Sequence, residues 1–180
     1  MKIVILAGGY GTRIAEYTKK IPKPMVKIGG IPLLTHIMRL FKSYGYDEFI
    51  IAAGYKKKVI QNYYLNSKEF ANLKVIDTGK ETMTGGRLLR LKPFFKKEEI
   101  FFMTYGDGLS DVNLKKLKEF HLKHRKIATV TAVRPPVRFG EMSIIRSKVS
   151  SFKEKPEIKS SWINGGFFVL NQKIFSFIKN

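Results

Sequence analysis

The feature that most constrains this sequence is a pair of continuous apolar runs that each end in a glycine-rich segment. Residues 3–6 run into Ala7-Gly8-Gly9-Tyr10-Gly11-Thr12-Arg13, and residues 100–104 run into Tyr105-Gly106-Asp107-Gly108. An apolar run without alternation is typical of a strand buried on both faces, as in a parallel sheet covered by helices. Because ligands of such sheets bind beyond the carboxyl ends of the strands, the two breaks predict one site built from two loops.

Strand-like and helix-like segments alternate along the rest of the chain, which predicts an α/β fold in a single domain over residues 1–180. Strands are predicted over residues 3–6, 48–53, 74–77, 100–104, 128–133, 141–145, 148–153 and 162–170. Helices are predicted over residues 32–44 and 57–65, near residues 88–91, and over residues 172–178. A further helix is predicted after Asp111, which would be its N-cap. The sheet is expected to be mixed but mostly parallel.

Composition excludes several classes of protein. The 180-residue chain has no cysteine, which excludes disulfides, thiolate zinc sites and cysteine nucleophiles. Hydrophobic residues make up 44%, which argues against a disordered chain. No apolar stretch approaches the ~18 residues of a membrane span, so a cytoplasmic protein without a membrane partner is expected.

The charge balance predicts an anionic partner. Lysine and arginine number 34 against 14 acidic residues, a formal charge of +20 that attracts nucleotides, sugar phosphates or nucleic acid. Binding of nucleic acid is the weaker interpretation, because it would need a basic face interleaved with aromatic residues. The sequence offers little beyond Tyr63-Tyr64 near Lys56-Lys57-Lys58. A bias towards lysine on solvated faces explains the scattered charges more simply.

The first glycine-rich loop is the strongest functional signal. Gly8, Gly9 and Gly11 allow close approach of the backbone to a charged ligand, and Arg13 adds a cation. The spacing fits neither the P-loop pattern nor the dinucleotide-binding pattern. An ordinary glycine turn between a strand and a helix is the alternative, and three glycines followed by Thr12-Arg13 argue against it.

Two further residues are candidates for phosphate and metal chemistry. Lys23 lies between two prolines, whose restricted backbone would present its ammonium group on a stiff stretch. Asp107 lies between two glycines after a buried strand, where a carboxylate can hold a divalent cation. A solvated lysine in a turn and an aspartate bonded to its own backbone are the corresponding structural alternatives.

In combination, these segments resemble the sugar-1-phosphate nucleotidyltransferase family, and within it the branch of glucose-1-phosphate cytidylyltransferases. The resemblance covers nearly the whole chain. Its broad signature consists of Leu6-Ala7-Gly8-Gly9-Tyr10-Gly11-Thr12-Arg13, Pro22-Lys23-Pro24-Met25 and Tyr105-Gly106-Asp107-Gly108. The cytidylyl branch is indicated by Met83-Thr84-Gly85-Gly86-Arg87, Glu154-Lys155-Pro156 and Trp162-Ile163-Asn164-Gly165-Gly166.

The resemblance implies a Rossmann-like three-layer α/β/α fold of the GT-A type, and transfer of a nucleotidyl group from CTP to glucose 1-phosphate with Mg²⁺ as cofactor. It implies catalytic roles for Arg13, Lys23 and Asp107, with Asp107 as the metal ligand. Lys155, Asn164 and Gly165 would hold the sugar phosphate. The nucleotide would be bound by Leu6, Ala7, Gly8, Gly9, Gly11, Thr12, Arg13, Lys23, Gly85, Gly86, Arg87, Thr104, Gly106 and Asp107.

The sequence departs from the family at its end. Family members continue for several tens of residues beyond the Trp-Ile-Asn-Gly-Gly segment, and that part supplies a second metal-ligating aspartate. No aspartate follows Asp111 here, so a weaker metal site and lower turnover are expected. A homo-oligomer is also expected. A relative that uses dTTP or UTP, and a nucleotide-binding module without turnover, stay open as alternatives.

Overall fold

A computed structural model describes residues 1–11, 15–18, 20–135, 140–154 and 162–179. The α-helices are α1 (Ala15–Thr18), α2 (Leu33–Ser43), α3 (Lys57–Tyr64), α4 (Thr84–Leu89) and α5 (Leu114–His124). Short 3₁₀ helices cover Lys23–Met25, Lys68–Phe70, Lys92–Phe94 and Gln172–Phe177. The strands are β1 (Lys2–Ala7), β2 (Lys27–Ile28), β3 (Ile31–Pro32), β4 (Glu48–Ala53), β5 (Leu73–Asp77), β6 (Ile100–Tyr105), β7 (Ala128–Val133), β8 (Glu141–Ile145), β9 (Lys148–Lys153) and β10 (Ile163–Asn171).

The central sheet has six strands in the order β5-β4-β1-β6-β10-β7. Strands β5, β4, β1 and β6 are parallel to their neighbours, whereas β10 runs antiparallel to β6. The predicted mixed and mostly parallel sheet is therefore confirmed. Helices α2, α3, α4 and α5 connect its strands, as expected for an α/β fold.

Both faces of the sheet are covered by apolar side chains. Along β1, Ile3 and Ile5 belong to one buried cluster, which includes Phe41 of α2 and Leu114 of α5. Val4 between them belongs to a second cluster, with Leu88 and Phe101. Because successive side chains of a strand point to opposite faces, these clusters are the two interlayer cores of a three-layer α/β/α arrangement.

The chain divides into two compact units, residues 1–129 with 166–180, and residues 130–165. Strands β7 and β10 contribute residues to both units. The second unit contains the antiparallel hairpin β8–β9, whose turn residues Arg146 and Ser147 both have positive φ. Two such residues are typical of a two-residue hairpin turn, whose twist matches that of the strands.

Three details of the helices follow from local chemistry. Helix α2 ends before Gly45, whose φ of 80° suits the left-handed position that stops a helix. The prediction that Asp111 caps α5 is wrong, because the side chain of Asn113 accepts the bond from the N–H of Lys116. The helix predicted over 172–178 is a 3₁₀ helix, Gln172–Phe177. Within the described residues, no helix is long and apolar enough to cross a membrane.

The buried His121 of α5 predicts a pH dependence of stability. Its Nδ1 lies 2.8 Å from the hydroxyl oxygen of Thr129, and burial, with a smaller effect of His124, lowers the pKa of His121 below its ordinary value. As the pH falls below about 6.5, the unfolded chain therefore takes up a proton before the folded chain does. The free energy of unfolding decreases until the pH has fallen below the lowered pKa of His121.

We expect the free energy of unfolding, measured by urea titration between about pH 7 and about pH 5, to fall less in His121→Gln than in the wild type. The hydroxyl of Thr129 and the ring of His124 face the replaced side chain, and both remain in the variant. An equal fall in the two proteins would contradict this assignment.

Candidate active site

A cavity of about 570 Å³ lies at the carboxyl ends of β1 and β6. These strands are adjacent and parallel, with Leu6 paired to Tyr105, and the N–H of Gly106 donates to the carbonyl of Leu6 at 2.9 Å. The loops that follow the two strands therefore leave the sheet side by side. A third wall is formed by residues 80–84 and by Arg87. The volume is in the range of small-molecule sites.

Most of the predicted nucleotide-binding residues that the structure describes line this cavity, namely Leu6, Ala7, Gly8, Gly9, Gly11, Lys23, Arg87, Gly106 and Asp107. Thr12, Arg13 and Lys155 lie outside the described residues. Three further candidates, Gly85, Gly86 and Thr104, are not part of the cavity wall. The roles assigned to all of these residues stay predictions.

Several of the predicted site residues outside the cavity wall are involved in a hydrogen bond or in close packing. Thr104 is buried and donates its hydroxyl to the carbonyl of Gly166 at 2.9 Å, which ties β6 to β10. A methyl group at Gly86 would lie 2.9 Å from Cγ2 of Thr82. Asn164 and Gly165 belong to the second unit, where a methyl group at Gly165 would lie 3.0 Å from Cγ1 of Val133.

Lys23 and Asp107 form an ion pair in the cavity. The ammonium nitrogen of Lys23 lies 2.6 Å from Oδ2 of Asp107, and both side chains are partly exposed. The neighbouring Pro24 is buried, and a methyl group at Gly106 would lie only 2.8 Å from its Cγ. The absence of a side chain at Gly106 therefore lets the proline stretch pack against the second loop, and this contact brings Lys23 to Asp107.

Arg87 is buried beneath the first loop. Its guanidinium group donates to the hydroxyl of Thr78 at 2.9 Å, to the carbonyl of Lys80 at 2.8 Å and to the carbonyl of Gly79. Burial and, to a smaller extent, the charge of Arg90 lower the pKa of Arg87 from its ordinary value. The side chain therefore holds residues 78–80 in place, and the last of these, Lys80, lines the cavity.

Close packing around Arg87 explains Gly8. A methyl group at this glycine would overlap the guanidinium group of Arg87. The same group crowds Gly54, which lies at the end of the neighbouring strand β4. Packing against the guanidinium group therefore favours glycine at both positions, and at Gly54 the carbonyl oxygen of Gly79 leaves no room for a side chain either.

Sequence reasoning missed a second part of the cavity, which combines Tyr10 with residues 80–84. The hydroxyl of Tyr10 donates to the carboxylate of Glu81, and this bond is the largest cause that raises the pKa of Tyr10. The ring of Tyr10 packs against that of Tyr55, with centroids 5.1 Å apart. An aromatic residue inside a glycine-rich loop was the available signal in the sequence, whereas nothing local marks Glu81 as its partner.

The donor set of the cavity fits a hard divalent cation only with help from a ligand. Asp107 and Glu81 are the carboxylates of the described wall, and no group of three acidic or histidine side chains that could hold a metal occurs in the described residues. Mg²⁺ commonly takes one or two carboxylates together with substrate phosphates and water. Asp107, at the mouth of the glycine-rich loops, therefore suits a metal that arrives with a nucleotide.

The fold brings two glycine-rich loops and an ion pair to one edge of the sheet, and comparison with known families identifies the class of protein. The chain belongs to the nucleotidyl transferase family, whose model matches residues 2–180.

Several known proteins are similar to this chain over nearly its whole length. The chain is 45% identical to glucose-1-phosphate cytidylyltransferase of Salmonella typhimurium, over 100% of this chain and 79% of that protein. It is 38% identical to the probable glucose-1-phosphate cytidylyltransferase of Bacillus subtilis, over 99% of this chain and 78% of that protein. Among solved structures, HddC from Yersinia pseudotuberculosis superposes with a TM-score of 0.75 at 27% identity, covering 99% of this chain and 80% of that one. The predicted family and its GT-A type of fold are confirmed.

Proposed function

We propose that this sugar-phosphate nucleotidyltransferase transfers the CMP group of CTP to glucose 1-phosphate, with CDP-glucose and pyrophosphate as products. The observation that carries the proposal is the Lys23–Asp107 pair in a cavity bounded by two glycine-rich loops. The choice of CTP and glucose 1-phosphate is supported by the likeness to the two cytidylyltransferases.

The chemistry requires positioning and charge neutralisation. A phosphate oxygen of glucose 1-phosphate attacks the α-phosphorus of CTP, and the bond from that phosphorus to the bridging oxygen breaks. Pyrophosphate leaves with the electron pair. Because the attacking phosphate is already ionised at neutral pH, no general base is needed.

Lys23 is suited to the charge that builds up around the α-phosphorus. Its ammonium group is held near the loops by the packed Pro24, so that little reorganisation is needed when the charge develops. The backbone of residues 8–11 would approach the phosphates, and we assign Arg13 to the same role. Asp107 would hold Mg²⁺, which when bound supplies electrostatic stabilisation of the phosphate oxygens.

A panel of nucleotides tests the proposal. We expect pyrophosphate release with glucose 1-phosphate and Mg²⁺ to be fastest with CTP, compared with dTTP, UTP, GTP and ATP. Each reaction is repeated without the sugar phosphate, which should abolish release. A preference for dTTP or UTP would replace the proposed base, and absence of release with every nucleotide would contradict the proposed reaction.

The metal assignment predicts that Mg²⁺ binds tightly only together with CTP. In the described cavity Asp107 is engaged by Lys23, and Glu81 accepts a bond from Tyr10, so the protein alone offers few free ligands. We expect calorimetric titration of Mg²⁺ to give weak binding without CTP. With CTP, Asp107→Asn should weaken metal binding at least about tenfold.

Asp111→Asn is the matched control, because this exposed aspartate is not part of the described cavity wall. Tight Mg²⁺ binding without nucleotide, or an Asp107→Asn protein that binds the metal like the wild type, would show that another group is the ligand.

A further inference from the structure

A second cavity, of about 620 Å³, opens beside α3, and five of its ten lining residues are lysines. Its wall contains Lys20, Lys56, Lys57, Lys58 and Lys80, and we call it the lysine cavity. Asp77 is the acidic residue of this wall, and its carboxylate already forms an ion pair with Lys57. The cavity therefore has a strong excess of positive charge that its own residues do not neutralise.

The backbone adds to this excess. Helix α3 begins at Lys57, and the positive end of its dipole coincides with two consecutive lysines, Lys57 and Lys58. Lys56, at the N-cap position, provides no side-chain cap and has a left-handed φ of 52°. Cations at a helix N-terminus and a left-handed lysine are both unfavourable. An anion bound at this point would offset the electrostatic cost of the cations at the helix N-terminus.

The side chains of the wall divide into two groups. Lys56 lies over the ring of Tyr55 at 5.1 Å and donates to the carbonyl of Thr18 at 3.3 Å, so that its stem is fixed. Within the described part of the chain, the ammonium groups of Lys20, Lys58 and Lys80 have no carboxylate partner. These three ammonium groups are the ones that a ligand would engage.

We infer that the lysine cavity is an anion site that binds a small ligand carrying linked phosphate groups, of the size of pyrophosphate or of the phosphate chain of a nucleotide. Lysine ammonium groups bind phosphate as compact point charges with three donors each. A concave site of this volume suits a small molecule. Lys80 also lines the first cavity. An anion bound in one cavity therefore reduces the positive electrostatic potential that Lys80 contributes to the other.

The experiment uses inorganic pyrophosphate as the probe and Lys23→Ala as the background, because the first cavity then lacks the ammonium group that is paired with Asp107. Binding is measured by calorimetry without Mg²⁺ at physiological ionic strength. In this background we compare two double variants. One combines Lys20→Gln with Lys58→Gln, and the control combines Lys115→Gln with Lys116→Gln. Both pairs are exposed and remove the same charge, and the second pair lies on α5.

We expect the background protein to bind pyrophosphate and the Lys20/Lys58 pair to weaken that binding at least about tenfold, with little change from the control pair. CTP in place of pyrophosphate tests whether the phosphate chain of a nucleotide is accepted. No pyrophosphate binding in the background protein would overturn the inference. Equal weakening by the two pairs would also overturn it, as would binding of single-stranded DNA with none of pyrophosphate.

Discussion

Replacing Lys23 with alanine is expected to lower kcat for pyrophosphate release by about 100- to 1000-fold, with a smaller change in KM. The ammonium group lies in the cavity at 2.6 Å from Asp107, on a stretch held by the packing of Pro24 against Gly106. A cation fixed before the reaction stabilises developing charge more than it stabilises bound substrate. Steady-state kinetics with CTP and glucose 1-phosphate measure the effect.

Lys27→Ala is the control for general loss of positive charge, since Lys27 is exposed and is not part of the described cavity wall. It should leave both constants near the wild-type values. A Lys23→Ala protein with a raised KM and an unchanged kcat would mean that Lys23 only binds substrate in the ground state.

Replacing Arg87 with alanine is expected to lower the free energy of unfolding by about 2–4 kcal/mol. The substitution leaves the hydroxyl of Thr78 and the carbonyls of Gly79 and Lys80 without their donor, and it empties the space that Gly8 and Gly54 leave for the guanidinium group. Urea titration measures the loss. Because residues 80–84 form a wall of the first cavity, CTP affinity should fall as well.

Arg90→Ala provides the comparison, because this exposed arginine donates to the carbonyl of Thr78 but is not buried. Its loss should cost less than about 1 kcal/mol of unfolding free energy. Equal stability of the Arg87→Ala and Arg90→Ala proteins would contradict the structural role of the buried guanidinium group.

The sheet was predictable because its signal is local. The runs of residues 3–6 and 100–104 form the interiors of β1 and β6, which are buried on both faces and need no alternation. The position of the cavity follows, since two parallel neighbours carry their glycine-rich loops to the same edge. The two strands of the hairpin β8–β9 were also predicted, over residues 141–145 and 148–153.

Contacts between distant parts of the chain were not predictable in this way. Arg87 was expected to line the nucleotide side, and it does line the cavity, but its burial under Gly8 depends on how α4 packs against β1. The bond between Tyr10 and Glu81 joins residues that share no local pattern. The cap of α5 shows the same limit at short range, because Asp111 and Asn113 are both good capping residues and only the backbone geometry selects Asn113.

The central claim, nucleotidyl transfer in the first cavity, is tested most directly by the fate of labelled phosphorus. CTP carrying radioactive phosphorus at the α or the γ position is incubated with glucose 1-phosphate, Mg²⁺ and the protein, and the products are separated. We expect the α label in CDP-glucose and the γ label in pyrophosphate. Transfer of the γ label to the sugar, or its release as orthophosphate, would contradict nucleotidyl transfer and indicate a phosphoryl transferase or a hydrolase.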